Sequence, residues 1–236
     1  MFLIGICDDS EEEREYIKQM CERCFTELGQ TCEYRYFTSG EEVLSYSGQP
    51  MHLLFLYAGS EREEGFGALR RLERSELIWR IAVISSDKES VFESLGVRTL
   101  GFGIKPVDYG MIRQWLSVTV RENWRHAQVR FATPEGQRLI EAGSLSYLEA
   151  AGNYVYVHAS RETFLADGNL KLWEERLGGM AILRVHRSYL VNLAAVRELS
   201  GDAVILTDGG RLPIGRQYKA DVREAYQRFL GCFAQT

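Results

Sequence analysis

The 236 residues contain no apolar run long enough to span a bilayer: Met1 to Cys7 and Leu53 to Ala58 fall far short of the roughly 20 residues required. The N-terminus lacks a basic segment ahead of its apolar run, so a cytoplasmic location without membrane contact is expected. Five cysteines (Cys7, Cys21, Cys24, Cys32 and Cys232) are an odd number that matches no disulfide framework, and reduced thiols are expected. Cys21 and Cys24 form a CxxC, but no second pair and no nearby histidine completes a zinc set. Histidine is scarce, with four in all, no Ser/His/Asp or Cys/His arrangement has a supporting context, and the glycine-rich pieces lack phosphate-loop spacing. An enzyme and a bound cofactor are therefore not expected. No internal repeat or low-complexity tract is present.

What is there is the balance of a globular protein, 45% apolar and 26% charged residues, in a chain long enough for two domains. Net charge is −5, unevenly shared. Residues 1 to 125 carry 15 Lys+Arg against 21 Asp+Glu, and residues 126 to 236 carry 13 against 12. Neither half is strongly basic, so bulk attraction to a polyanion is weak and any such binding must rest on where particular arginines sit.

The first half alternates short apolar runs with amphipathic stretches, the signature of successive βαβ units and a parallel sheet. Strands are predicted at Met1–Cys7, Cys32–Phe37, His52–Leu56, Ile81–Ile84 and Leu100–Ile104. Helices are predicted at Glu11–Leu28, after the capping-box pattern Ser39-Gly-Glu-Glu42, and near 66–74, 88–95 and 109–124. This predicts a five-stranded, doubly wound α/β domain over residues 1–122. After Arg125 short alternating strands take over: Gln128–Ala132, Gly143–Ala150, Tyr154–Ala159, Arg161–Ala166, Ala203–Thr207 and Arg211–Ile214. One helix is inserted at Asn169–Leu177 and another closes the chain at Arg216–Phe229. A β-rich domain over 131–236, behind a linker at 123–130, is expected.

In a parallel α/β sheet, ligands sit at the carboxyl ends of the strands. Those ends supply Asp8 and Asp9, Tyr57, Ser85, and Lys105 followed by Pro106. Two carboxylates, a hydroxyl and a lysine on one rim suit a hard cation and a phosphoryl group. The alternative is that Asp8 and Asp9 only cap the first helix. These residues make the first 115 or so resemble a response-regulator receiver domain, in which the Lys-Pro peptide is cis and a phosphorylatable aspartate ends strand three. Here the aligned residue is Tyr57. A phenol cannot form an acyl phosphate, and it removes a carboxylate from the metal site. No phosphotransfer is expected at the usual position, and no metal beyond weak Mg²⁺ at Asp8 and Asp9. Asp8, Asp9 and Lys105 are expected to persist as a charge network beside an aromatic plug.

The second half carries four ordered motifs: Ser146-Tyr-Leu-Glu-Ala-Ala-Gly-Asn-Tyr-Val-Tyr156, Asn169-Leu-Lys-Leu-Trp-Glu-Glu175, Arg184-Val-His-Arg-Ser-Tyr-Leu-Val-Asn192 and Leu212-Pro-Ile-Gly-Arg-Gln-Tyr218. Together they resemble the LytTR DNA-binding family from Val129 to Phe229. That resemblance implies a β-rich module presenting loops to the major groove. It implies Arg187 and Arg216 as principal contacts, Asn153 or Tyr154 as a third, and His186 and Lys219 as phosphate or orienting groups. The residue types suit this: arginine's planar fork grips a guanine edge or phosphate, and asparagine pairs with adenine. Where the family commonly has serine before Arg216, this chain has Gly215. The expected function is a two-component-type, DNA-binding transcription regulator working as a homodimer on paired sites without aspartyl phosphorylation, its dimerising face around Val83 to Tyr109. The alternative is an interaction protein that titrates a sensor kinase or another regulator.

Overall fold

The computed structural model describes residues 1–59, 62–87, 96–178 and 181–233. The chain divides into two compact units, Met1–Val120 and Arg121–Thr236.

In the first unit, β1 (Phe2–Cys7), β2 (Cys32–Phe37), β3 (Leu53–Tyr57), β4 (Ile81–Ser85) and β5 (Thr99–Ile104) form one all-parallel sheet in the order β2-β1-β3-β4-β5. Strand alternation sends Ile4, Ile6, Leu53, Phe55, Ala82 and Ile84 to one face, and Leu3, Leu54, Leu56, Ile81 and Val83 to the other. Ile17, Cys21, Cys24 and Phe25 of α1 (Glu11–Glu27) cover the first face. Val43 of α2 (Gly40–Leu44), with Leu69 and Leu72 of α3 (Arg62–Leu72), covers the second. Ser10 and Ser39 cap α1 and α2, each accepting from a backbone N–H three residues on. Burial on both faces is why β1, β3 and β4 read as continuous apolar runs. Helix α3 starts four residues ahead of the expected 66, because Gly65 and Gly67 mask its helical pattern. The helix expected at 88–95 lies outside the described residues. The last helix, α4, runs Tyr109–His126, and the Lys105–Pro106 peptide is cis.

In the second unit, β6 (Gln128–Thr133) and β7 (Gly136–Glu141) form a hairpin. Strands β8 (Leu145–Ala151), β9 (Tyr154–Ala159), β10 (Thr163–Asp167), β11 (Ile182–His186) and β12 (Tyr189–Asn192) form an antiparallel sheet ordered β10-β9-β8-β12-β11. A third sheet joins β13 (Val196–Ser200), β14 (Ala203–Leu206) and β15 (Arg211–Pro213). Helix α5 (Leu170–Arg176), capped by Asn169, buries Trp173 against Phe131 with ring centroids 4.3 Å apart. Arg216–Tyr218 is a 3-10 turn that leads into α6 (Lys219–Phe233), whose Val222 and Tyr226 pack with Val185, Val191, Val204 and Leu206. The stretch 123–130 holds the end of α4 and the start of β6.

Strands β7, β11, β12 and β13 are additional to the sequence reading. The β11–β12 connection is only Arg187-Ser188, and no residue but glycine adopts a positive φ among the described residues, so that hairpin carries no turn signature. Strands β7 and β13 alternate too weakly to stand out, since each buries a single residue, Ile140 and Val196. No described helix is long and apolar enough to cross a membrane.

Candidate functional site

At the carboxyl end of the parallel sheet, Asp8 is 2% exposed. One of its oxygens accepts the Ser10 N–H at 3.0 Å, and the other lies 2.7 Å from Lys105 Nζ. The same ammonium sits 3.8 Å from the centroid of the Tyr57 ring, with Glu13 Oε2 at 4.0 Å. A buried carboxylate, an ammonium and an aromatic face thus satisfy one another, and the cation–π contact in this partly desolvated setting is worth on the order of 1–2 kcal/mol. Asp9, one residue along, is exposed. Ser85 is fully buried, and its hydroxyl accepts the Asp87 N–H at 3.1 Å. The hydroxyl that reaches Tyr57 belongs to Ser86, 3.1 Å from the phenol oxygen.

The receiver resemblance implies a divalent cation here, and the residues do not fit one. Lys105 already neutralises Asp8, Tyr57 stands where a third carboxylate is needed, and no three His, Cys, Asp or Glu side chains gather to hold a metal among the described residues.

The second site is a rim at one end of the five-stranded antiparallel sheet. Tyr189 pairs with Glu149 and Glu149 with Tyr156, so the turns that adjoin these residues leave the sheet at the same end. One is Gly152-Asn153, closing β8 onto β9; Gly152 has φ +69°, the left-handed conformation such a two-residue hairpin turn requires. The other is Arg187-Ser188, tied to the first by the Ala150 N–H donating to the Ser188 carbonyl at 2.9 Å. A third segment joins them where the Gly215 N–H donates to the Val185 carbonyl at 2.8 Å, bringing Arg216 beside the end of β11. A Cβ on Gly215 would lie 3.0 Å from the Tyr218 ring and 3.4 Å from the His186 ring, so the close approach favours glycine.

Asn153, Tyr154, Arg187 and Arg216 are all exposed on this rim. The Arg187 side chain forms no ion pair among the described residues. His186 is half-buried: its Nδ1 accepts the Ser188 N–H at 3.2 Å, and its ring tilts against Tyr189. Lys219 is engaged elsewhere, its ammonium 2.5 Å from Asp202 Oδ1. That contact holds the Asp202 carboxyl below the usual carboxylate range, with Arg216 adding to the effect. Asn192 is buried at the far end of β12, where its amide donates to the Leu145 carbonyl at 2.6 Å and its oxygen accepts the Ala194 N–H. Sequence reasoning missed Ser86 and Asp202. Both act through contacts remote in sequence, 29 and 17 residues from their partners.

Comparison with known proteins matches residues 135–227 to the family described as the LytTr DNA-binding domain. The sensory transduction protein LytT of Bacillus subtilis is 22% identical over 244 residues, covering 95% of this chain and 98% of that protein. Among solved structures, a LytTr DNA-binding domain from Bacillus cereus is 25% identical, covers 42% of this chain and 95% of its own, and has a TM-score of 0.39. A CheY-like receiver domain from Methylobacillus flagellatus is 20% identical, covers 50% and 98%, and has a TM-score of 0.38. With its four ordered motifs on a β-rich unit that follows a five-stranded parallel α/β unit, the chain has the organisation of a two-component transcription regulator, and its residues 135–227 match the LytTr DNA-binding domain.

Proposed function

We propose that the chain is a cytoplasmic regulator that binds double-stranded DNA as a homodimer on paired half-sites, and that it does so without aspartyl phosphorylation. The observation that carries the DNA reading is the shared rim, on which two exposed arginines stand together with Asn153 of the Gly152-Asn153 turn and Tyr154 beside it. Arg187 reads a base edge, Arg216 grips a base or phosphate, Asn153 or Tyr154 adds a third contact, and His186 holds the turn that bears Arg187. Lys219 meets phosphate only by exchanging Asp202 for it. Independence from phosphate is supported by Tyr57 and by the Lys105–Asp8 pair, which leaves neither an acceptor carboxylate at that position nor a vacant lysine.

Binding-site selection with the full chain, run with and without a phosphodonor, tests both parts. One enriched motif under both conditions is expected. Enrichment only with phosphodonor overturns the second part, and no enrichment at all overturns the first.

A further inference from the structure

The turn that bears Arg187 is held from behind by a residue not yet used. Arg184 lies on β11 with its side chain one-fifth exposed. Its Nη2 donates to the Arg187 carbonyl at 2.8 Å, and its Nε to the His186 carbonyl at 3.3 Å. Its Nη1 makes a 2.9 Å ion pair with Glu174 Oε2 on α5. The β11–β12 register slips between Arg184 and His186, and across that irregularity the guanidinium takes up two carbonyls of the hairpin end. A planar guanidinium with five donors can serve two carbonyls and a carboxylate at once, which a compact lysine ammonium cannot do with the same geometry. The far end of this strut is firm. Trp173, adjacent to Glu174, is 1% exposed, and its indole N–H donates to the Asp167 carbonyl at 2.9 Å.

A two-residue turn with no glycine and an exposed arginine at its tip would otherwise leave those carbonyls to water and the tip free to rock. Glu174 also neutralises Arg184, so the charge the hairpin offers outward is that of Arg187. We propose that Arg184 is a positioning residue for Arg187: braced on Glu174, it fixes the backbone of residues 186–187 and thereby the direction in which the Arg187 fork meets a base. This rests on the reading of Arg187 as a base contact.

The test uses the full chain and its R184Q, R184K, E174Q and R187A variants, with R184Q also combined with R187A. Affinity is measured on the selected site and on its single-base variants, over a range of salt. If Arg184 acts through Arg187, R184Q weakens the preferred site about tenfold and broadens preference at the same base pair that R187A flattens. It adds no further loss in the R187A background, because the two changes remove one interaction. The salt slope stays unchanged, since no phosphate contact is lost. R184K and E174Q produce the same broadening in milder form, and they carry the test should R184Q fail to fold.

A uniform loss on all sequences with a salt slope lower by about one would make Arg184 a phosphate contact and overturn the proposal. So would losses that simply add, or an unchanged base preference in R184Q, R184K and E174Q while R187A flattens it. If R187A itself leaves base preference intact, the reading of Arg187 fails first and the positioning role falls with it.

Discussion

The ammonium of Lys105 lies 3.8 Å from the centre of the Tyr57 ring while it pairs with Asp8 at 2.7 Å. In a receiver pocket the lysine and the acidic residues surround a phosphoryl group and its metal ion; here Lys105, paired with Asp8, lies against an aromatic side chain. Acetyl phosphate or a beryllium fluoride mimic with Mg²⁺ is therefore expected to change neither the mass nor the oligomeric state of the protein. Intact-mass spectrometry and sedimentation check this, and a stoichiometric phosphoryl adduct on any carboxylate of the first unit would refute it.

Replacing Tyr57 by aspartate removes the ring and returns a third carboxylate. Tyr57→Asp should gain measurable Mg²⁺ affinity in a calorimetric titration, in part only, because Lys105 still competes for Asp8. Tyr57→Phe keeps the face that Lys105 covers and loses the contact with Ser86, so it should gain none. Equal Mg²⁺ binding by both variants would show that the plug is not what excludes the ion.

The parallel unit was legible in the sequence because strands buried on both faces must be apolar throughout, and Leu53–Tyr57 or Ile81–Ser85 can hardly read otherwise. The β-rich unit was less so. The Arg187-Ser188 hairpin turns without glycine, proline or asparagine, and β7 buries only Ile140. Family motifs named Asn153, Arg187 and Arg216, and the hydrogen bonds Ala150–Ser188 and Gly215–Val185 bring those segments to one rim. The contacts that fix the rim were not legible. Arg184 to Glu174 and Lys219 to Asp202 join side chains through the fold, and no local spacing encodes them.

Specific and general contacts on the rim should separate. Arg187→Ala is expected to cost about 1–3 kcal/mol on the preferred site and to flatten discrimination at one base pair. Lys219→Ala should weaken binding to all sequences alike and lower the salt slope by roughly one. Its partner gives the opposite sign: Asp202→Asn removes an acid beside Arg216 and Lys219 and should raise affinity on every sequence. Titrations over a salt series check all three, and equal losses from Arg187→Ala and Lys219→Ala with base preference intact would show the roles misassigned.

His52 gives the first unit a dependence on pH. Its ring lies between Phe2 and Trp79, its Nδ1 accepts the Leu3 N–H at 3.1 Å, and burial pulls its pKa below the ordinary 6.5. Above that ordinary value both folded and unfolded chains hold it neutral. As pH falls through it, the unfolded chain takes up a proton that the folded chain resists, so stability drops until the folded pKa is passed. Between about pH 7.5 and about pH 5.5 the first unit's unfolding temperature should fall, and His52→Gln should lessen the fall. An identical pH profile in the variant would remove His52 as the cause.

A DNA-binding half with 13 basic against 12 acidic residues has little nonspecific attraction to rely on, so useful affinity should require two modules held on two half-sites. The most direct measurement titrates the full, unphosphorylated chain against a paired site and against the same site with about 5 base pairs, half a helical turn, inserted between the halves. The account predicts tight binding to the first and loss of the gain over a single half-site on the second, with phosphodonor changing neither. Equal affinity for the single half-site and for both spacings, or tight binding that appears only with phosphodonor, would contradict it.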